Sequence, residues 1–409
     1  MKGRDAIAAA LAGQVVDTMF GVLGDGNLFI AESMMRNHGL HFVAATHEAN
    51  AVCMAEGWGR ATGRLGVATV THGPGLTKTP TALVEAVRNR TPLLLVAGDT
   101  PRGVRDHLQN MEQFPLVAAT GAGFEPVHRI EDIGRDVAHA VRRAHSERRP
   151  IVLNVPLDLQ WLHDVDVAEV GEIDRPGQAV APDPEALDRA VGLLASANRP
   201  LIRAGRGAVR AGAVVALVTL GHRLGAPLCT TLLCSGFFRG QPHDLGLHGT
   251  LSHPIASETI VSADCVISFG AGLNYFTTDS DALLKDKRVI QVDIDPDRIG
   301  SSVAIDAGIV GDARLVAETI DTWLASVDHQ PSSFASPELA ARLAAFDPAV
   351  IEDDLSTEHT VDPRMVTARL DQMIPADRTL VVDAGRFMLD GLRLTVPDPL
   401  SLITSHGFG

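Results

Sequence analysis

The hydrophobic positions between Val16 and Leu157 follow two alternating patterns. Short runs rich in Val and Leu alternate with longer segments of helical period, and Gly, Pro or Asp separates them. Several short runs are apolar at almost every position, which indicates strands buried on both faces of a parallel sheet between helices. We therefore predict an α/β fold of parallel-sheet, three-layer domains. The predicted strands are Val16–Leu23, His41–Ala45, Gly66–Thr71, Pro92–Gly98 and Pro150–Pro156, and the predicted helices are Asn27–Asn37, Glu48–Gly63 and Thr77–Arg90.

Two polar stretches interrupt this pattern and predict domain boundaries. The first, Val165–Pro184, contains proline, and the second, Asp328–Pro337, has little regular pattern. The predicted domains are 1–165, 185–327 and 361–409. The last segment is too short to bury a core of its own, so we expect it to begin a domain of a longer protein. Its predicted elements are a helix at Pro363–Met373 and a strand at Thr379–Asp383, and those of the second domain are a helix near Ala211–Leu224 and the strands Pro200–Ala204, Cys265–Phe269 and Arg288–Asp293.

Composition excludes several classes of function. The 409 residues carry a net charge of −15, which disfavours binding to nucleic acid or to an anionic membrane surface. No apolar run approaches the ~18 residues that a membrane-spanning helix needs. The four cysteines lack paired CxxC spacing, which predicts a reduced, cytoplasmic setting. Lysine accounts for only four of the 35 Lys and Arg residues, so we interpret arginine as a compositional preference and no single arginine as special.

The most informative segment is 46–63, which reads THEANAVCMAEGWGRATG. A glutamate such as Glu48 in the first turn of a helix is ordinarily a favourable partner of the helix dipole, so alone it is weak evidence. Its position matters more: it lies between a strand predicted to be buried and an Ala- and Gly-rich helix. A second strand then ends in Thr71-His72-Gly73-Pro74-Gly75, which read alone is a turn between strand and helix.

The segment HEANAVCMAEGWGRATGRLGVATVTHGPG resembles the pattern HE-x(6)-AEGYARATG-x-x-GV-x(3)-TSGPG of the thiamine diphosphate enzymes of the acetolactate synthase and 2-oxo acid decarboxylase superfamily. The similarity continues in order through 86–100, 199–311 and 379–385. It implies thiamine diphosphate with Mg²⁺ as cofactors and a small-molecule 2-oxo acid as substrate. The implied reaction is decarboxylation, carboligation or both. The alternatives are another lyase or acetyltransferase of the superfamily, or a non-catalytic paralogue that only binds the cofactor.

The resemblance also implies roles for individual residues. Glu48 lies at the cofactor-activating glutamate, whose protonated carboxyl donates to the aminopyrimidine ring. Thr71, Gly73 and Pro74 correspond to the wall beside that ring. His72 stands where a small residue is usual, and it either faces the substrate or fills space.

Other positions match less closely. Gln109 occupies the place of the family's active-site glutamine, and its alternative is a surface loop amide. Lys78 stands where many members carry Asn. Gly385-Arg386-Phe387 corresponds to a stretch that approaches the cofactor from a partner subunit, which implies a homo-oligomer with the active site at the subunit interface. Flavin-binding members show Arg-Phe-Asp where this chain has Gly272-Leu273-Asn274, so FAD is not expected.

Gly24-Asp25-Gly26-Asn27 admits two interpretations. With Asn50 it is spaced like the family's Gly-Asp-Gly magnesium motif. It precedes Glu48, however, and is similar to the Gly-Asp-x-Asn of pyruvate decarboxylases. We therefore interpret Gly24 as cofactor-adjacent and Asp25 as a second-shell or substrate-side acid, with a turn-and-cap role for Asp25 and Asn27 as the alternative. The metal ligands are then expected beyond residue 409 and none within the chain.

Overall fold

The computed structural model describes residues 1–104, 106–167, 171, 179–347, 350–351 and 353–405. Contacts divide the chain into two units. The first comprises the described residues up to 176 together with 381–388 and 403–405, and the second comprises those from 177 to 380 together with 389–402. Much of the predicted boundary 165–184 falls outside the described residues. The predicted third domain at 361–409 is divided between the two units and stays a prediction.

The first unit is built on six strands with helices between them. Its strands are β1 (Thr18–Gly21), β2 (His41–Ala44), β3 (Gly66–Val70), β4 (Leu93–Asp99), β5 (Gly123–Pro126) and β6 (Pro150–Pro156). Its helices are α1 (Gly3–Ala12), α2 (Leu28–His38), α3 (Glu48–Thr62), α4 (Pro80–Arg88), α5 (Gln113–Thr120), α6 (Ile133–Glu147) and α7 (Leu157–Gln160), with 3₁₀ turns at Leu76–Lys78 and Ile130–Asp132.

All pairings in the first sheet are parallel, in the order β2-β1-β3-β4-β6-β5. Alternate residues of its central strands enter two separate cores. Leu94 and Val96 pack with α1, α2 and α6, whereas Leu93 and Leu95 pack with α3, α4 and α5. Because side chains alternate across a strand, an almost wholly apolar strand is the expected consequence of helices on both faces.

The second unit repeats this plan. Its sheet is again wholly parallel, in the order β12-β11-β10-β7-β8-β9. The strands are β7 (Pro200–Ala204), β8 (Leu228–Thr230), β9 (Asp244–Leu247), β10 (Cys265–Phe269), β11 (Arg288–Asp293) and β12 (Ala307–Val310). The helices are α8 (Pro184–Ala195), α9 (Arg206–Arg210), α10 (Val214–Leu224), α11 (Pro254–Ser262), α12 (Tyr275–Thr278), α13 (Ala313–Ser326), α14 (Pro337–Ala345) and α15 (Pro363–Met373), with 3₁₀ turns at Leu232–Cys234, Ala282–Leu284 and Pro296–Arg298.

The remaining elements near the end of the chain are short. They are β13 (Leu380–Val382), α16 (Met388–Gly391), a 3₁₀ turn at Pro399–Ser401 and β14 (Leu402–Thr404), and β13 and β14 form a two-stranded sheet.

The predicted α/β class with parallel sheets between helix layers is confirmed for both six-stranded sheets. One local expectation is wrong. The strand before Glu48 was expected to be buried, but β2 lies at a sheet edge and none of its four residues is buried. An edge strand has a neighbour on one side only, so its side chains have less to pack against.

Candidate functional site

The first sheet changes the direction of its connections between β1 and β3. The chain leaves β1 toward β2 on one side, and β3 is followed by β4 on the other. In parallel α/β sheets such a switch point opens a crevice at the carboxyl ends of the strands, where ligands bind. Two predicted segments follow directly: Gly24–Asn27 after β1 and Thr71–Gly75 after β3.

The side chain of Asn27 holds the Gly24–Asn27 turn by hydrogen bonds. This fully buried side chain accepts from the Gly24 N–H at 2.8 Å and donates to Val22 O at 3.0 Å and Thr69 Oγ1 at 3.1 Å. The Gly26 N–H donates to Thr71 Oγ1 at 3.1 Å, which joins the two segments. Asp25 is exposed at the tip of the turn. The turn role expected as the alternative for this motif therefore belongs to Asn27, whereas Asp25 is available to solvent.

The turn after β3 needs a glycine at position 73. Gly73 has a φ of +56°, and a Cβ there would lie 2.4 Å from Gln109 O. Its N–H donates to Gln113 Oε1 at 2.9 Å. Gln113 Nε2 donates to Gly98 O at 3.0 Å and to Asn154 Oδ1 at 2.6 Å. The backbone partners fix which end of the Gln113 amide is oxygen, so this buried side chain holds the turn in one conformation.

His72, within the second segment, is wholly buried, and its Nδ1 packs against Gly26 of the first. Its ring lies edge-on to that of His107, with centroids 5.5 Å apart, and its Nδ1 is 3.5 Å from Thr71 Oγ1. Its Nε2 makes no hydrogen bond of ordinary geometry within the described chain. Burial and then His107 lower the pKa of His72, while Asp99, Asp25 and Gln109 act in the opposite direction. The ring is thus a neutral group with an unused nitrogen at the crevice.

Glu48 begins α3 at the carboxyl end of β2. His47 caps the helix, because its Nδ1 accepts from the Ala49 N–H at 3.2 Å. The Glu48 side chain is 8% exposed, and its Oε2 lies 3.4 Å from the Nζ of Lys78. The described residues give this carboxyl no other hydrogen bond or ion pair. Its Oε1 has no partner among the described residues and is not one of their fully buried unpartnered atoms, so it is open to solvent or to a ligand.

The remaining predicted residues are less closely connected to Glu48 and the two turns. Gln109 is half-buried, and its backbone packs on Gly73 while its N–H donates to His107 Nδ1 at 3.2 Å. Gly385, Arg386 and Phe387 are exposed, and none of the hydrogen bonds or ion pairs of the described residues joins them to Glu48 or to the turns. Their cofactor role stays a prediction.

Sequence reasoning did not select three residues that the fold places at this edge. Lys78 contacts Glu48 across 30 positions, and Gln113 and Asn154 hold the Gly73 turn. Asn154 interrupts the otherwise apolar run Pro150–Pro156, and a polar residue in a buried strand is a detectable signal. Nothing in the sequence marked the Lys78 contact, except that Lys78 stands where many family members carry asparagine.

The described residues contain no group of three or more His, Cys, Asp and Glu side chains that could hold a metal ion. They also contain no helix with the length and apolar character that crossing a bilayer requires.

Comparison with known proteins matches two parts of the chain to models of one enzyme family. Residues 1–118 match the family model "Thiamine pyrophosphate enzyme, N-terminal TPP binding domain", and residues 187–320 match "Thiamine pyrophosphate enzyme, central domain". The first contains Glu48 and both turns, and its description implies thiamine diphosphate as cofactor.

Full-length relatives extend the match to most of the chain. A sulfoacetaldehyde acetyltransferase of Rhodobacter capsulatus is 31% identical over 94% of the chain and 68% of its own length. A probable 2-ketoarginine decarboxylase of Pseudomonas aeruginosa is 30% identical with the same coverages. An acetolactate synthase large subunit of Corynebacterium glutamicum is 30% identical over 80% of the chain, which spans about half (53%) of it. These matches show that the chain belongs to the thiamine pyrophosphate enzyme family.

Proposed function

We propose that the protein uses thiamine diphosphate to cleave the bond next to the carbonyl of a small 2-oxo acid, by decarboxylation, and that it can pass the resulting fragment to an acceptor by carboligation. The observation that carries the proposal is Glu48: a carboxyl only 8% exposed, with one unused oxygen, at the switch-point edge of a domain of this family. A few polar groups with open hydrogen-bonding positions in a crevice are the usual means by which a site orients its ligand.

The residues at this edge fit an aminopyrimidine ring. The unused Glu48 oxygen offers a partner for a ring nitrogen, and Gly73 contributes backbone without a side chain. Gly24 and Thr71 line the same edge. When bound, the cofactor supplies the electron sink that makes a carbanion at a carbonyl carbon accessible.

Each of these residues has a separate task in the proposal. Glu48 holds a proton at the ring nitrogen and takes it back. The Gly73 turn, held by Gln113, supports one face of the ring. Asp25, at the exposed tip of the Gly24 turn, and His72, whose Nδ1 packs against Gly26, act on the substrate side, with the His72 Nε2 as a neutral acceptor or donor. Gln109, which approaches the His72 ring, orients the substrate.

Magnesium and a homo-oligomer belong to the same proposal. Mg²⁺ prefers oxygen ligands and binds diphosphates in proteins, so its presence during cofactor titration is essential. The active site is shared between two copies of the chain, with Gly385, Arg386 and Phe387 facing the cofactor of the partner copy.

Acetyl transfer is the second candidate. Its support is that the relatives named sulfoacetaldehyde acetyltransferase match the chain over 88–94% of its length. A screen of 2-oxo acids and aldehydes, each with and without an acyl acceptor, separates the two candidates by product.

The first test changes Glu48. We expect Glu48→Gln in the full-length protein to reduce turnover by ~10²–10⁴-fold, the usual contribution of a positioned acid or base. Circular dichroism must show the wild-type fold for the comparison to count, and the exposed Glu338→Gln serves as the control. A loss below about fivefold would remove Glu48 from the role.

Binding tests the cofactor independently of turnover. Calorimetric titration with thiamine diphosphate should show saturable binding that requires Mg²⁺. A folded protein that binds no cofactor under these conditions would contradict the proposed function.

A further inference from the structure

Lys78 lies in the 3₁₀ turn Leu76–Lys78, directly after the Gly73–Gly75 turn. It is one of only four lysines in the chain. Its side chain is 50% exposed, whereas that of Glu48 is 8% exposed. The two side chains meet with Nζ of Lys78 3.4 Å from Oε2 of the nearly buried Glu48.

The contact is the sole ion pair of the Glu48 carboxyl among the described residues. Removing a charge from water is costly unless an opposite charge or hydrogen-bond donors replace the lost hydration. No backbone N–H or other side chain of the described chain donates to Glu48. Lys78 is therefore the one charged partner that the described residues offer this carboxyl.

The two oxygens of the Glu48 carboxyl also have different surroundings. Oε2 lies 3.4 Å from Lys78 Nζ, and Oε1 has no partner in the part of the chain described. A lysine that holds one oxygen restricts the rotation of the carboxyl group and leaves the other oxygen available. An asparagine at this position has no charge to offer and a side chain two atoms shorter.

We propose that Lys78 is a positioning residue: its ammonium holds Oε2 of Glu48, so that Oε1 is presented to the ring of the cofactor. The inference rests on the proposed function and deepens it, because it assigns the orientation of Glu48 to a residue that does not itself touch the reacting atoms. Lys78 acts through Glu48, and this distinguishes it from a substrate-binding cation.

The experiment uses the full-length protein in four forms: wild type, Lys78→Met, Lys78→Arg and the exposed control Lys285→Met. The dissociation constant of thiamine diphosphate is measured by calorimetry with Mg²⁺, and kcat and KM are measured for the best 2-oxo acid. We expect Lys78→Met to weaken cofactor binding about tenfold and to lower kcat at saturating cofactor, with substrate KM unchanged. Lys78→Arg should recover most of both losses, because it keeps the charge, and Lys285→Met should match wild type.

A double-mutant cycle identifies the path of the effect. If Lys78 acts through Glu48, Lys78→Met adds nothing further in the Glu48→Gln background, in either the cofactor affinity or kcat. Additive losses would overturn the proposal. Should Lys78→Met fail to fold, Lys78→Gln replaces it in the same cycle.

The remaining outcomes are also decisive. Cofactor affinity and kcat within twofold of wild type in Lys78→Met would overturn the inference while leaving the Glu48 assignment intact. A rise in substrate KM alone would overturn it in favour of a direct contact between Lys78 and the substrate. A wild-type protein that binds no thiamine diphosphate would reject the proposed function, and the inference with it.

Discussion

Arg203 and His248 form a buried basic pair in the second unit. Arg203 is fully buried in β7, where its Nε donates to Ser268 Oγ at 2.8 Å and its Nη1 to Thr277 O at 3.1 Å. No carboxylate lies within ion-pair distance of it among the described residues. Burial lowers the pKa of Arg203 to about 10, so it is charged at neutral pH.

Arginine abundance concealed this residue in the sequence. We interpreted no single arginine as special, and this is wrong for Arg203. The useful signal was local: an arginine within the otherwise apolar strand Pro200–Ala204 must be buried wherever the strand is central. Composition describes the average residue, whereas burial is set by position within the sheet.

His248 makes the second unit sensitive to acid. Its Nδ1 lies 2.8 Å from Thr277 O and therefore carries the proton of the neutral ring. Burial, and next the charge of Arg203, lowers the pKa of His248 to about 3. An unfolded histidine titrates near pH 6.5, so below that pH the unfolded state binds a proton that the folded state does not. The free energy of unfolding should then fall by on the order of 1 kcal/mol per pH unit between roughly pH 6 and 3.

The measurement is chemical denaturation at a series of pH values. We expect His248→Asn to flatten this pH dependence by close to one proton, while the exposed control His359→Asn leaves it unchanged. Equal slopes in wild type and His248→Asn would show that His248 is protonated in the folded state.

Among the elements, four central or near-central apolar strands were predicted to the residue, whereas several strands of three or four residues were missed. The bounds of β6, β7, β10 and β11 agree with the sequence predictions to the residue. The strands β5, β8, β9 and β12 were not predicted. Each has only three or four residues; β5, β9 and β12 lie at sheet edges, and β8 is buried but only three residues long, so none gives a long apolar run in the sequence.

The turns between elements could be recognised in the sequence, but the hydrogen bonds that hold them could not. Glycine spacing indicated the Gly73 turn, because a left-handed residue in close contact needs glycine. Its partner Gln113 begins α5, 40 positions later. Contacts of this kind depend on how strands pair, which no local pattern contains. Lys78 and Glu48 illustrate the same limit within the candidate site.

Gln113 should couple the stability of the first unit to the shape of the Gly73 turn. Gln113→Leu leaves Gly73 N–H, Gly98 O and Asn154 Oδ1 without their partner. An unsatisfied buried polar group costs ~1–3 kcal/mol, so we expect the free energy of unfolding to fall by roughly 2–4 kcal/mol. Thiamine diphosphate binding should weaken in parallel.

Gln113→Glu is the informative companion, because it keeps an acceptor for Gly73 N–H and loses both donated bonds. At neutral pH its stability in urea denaturation should lie below that of Gln113→Leu, because a buried carboxylate would face Gly98 O and Asn154 Oδ1 with no donor between them. The exposed control Gln330→Leu should match wild type. A loss below about 0.5 kcal/mol in Gln113→Leu, within the usual range of surface changes, would mean that the network does not hold the turn.

For the molecule as a whole, the two units repeat one sheet plan with different switch-point edges. In the second unit the switch point lies between β7 and β10, and the Gly-rich loop Gly205–Gly207 follows β7 there. Such a loop suggests a phosphate cradle only if its N–H groups are available. Here Gly205 N–H donates to Phe269 O and Gly207 N–H donates to Gly270 O, each at 2.9 Å.

We therefore expect the purified full-length protein to carry no flavin. A Cβ on Gly270 would lie 2.4 Å from Gly207 Cα, so the two loops are in direct contact where a diphosphate would have to enter. The helix after the loop, α9, has only five residues and contributes a short dipole. Absorbance of the native protein and fluorescence of the supernatant after denaturation test this directly. Flavin bands in the native spectrum, with FAD released on denaturation, would contradict this expectation. The two loops would then have to separate and their hydrogen bonds to break, and the second unit would be a nucleotide-binding domain as well as a scaffold.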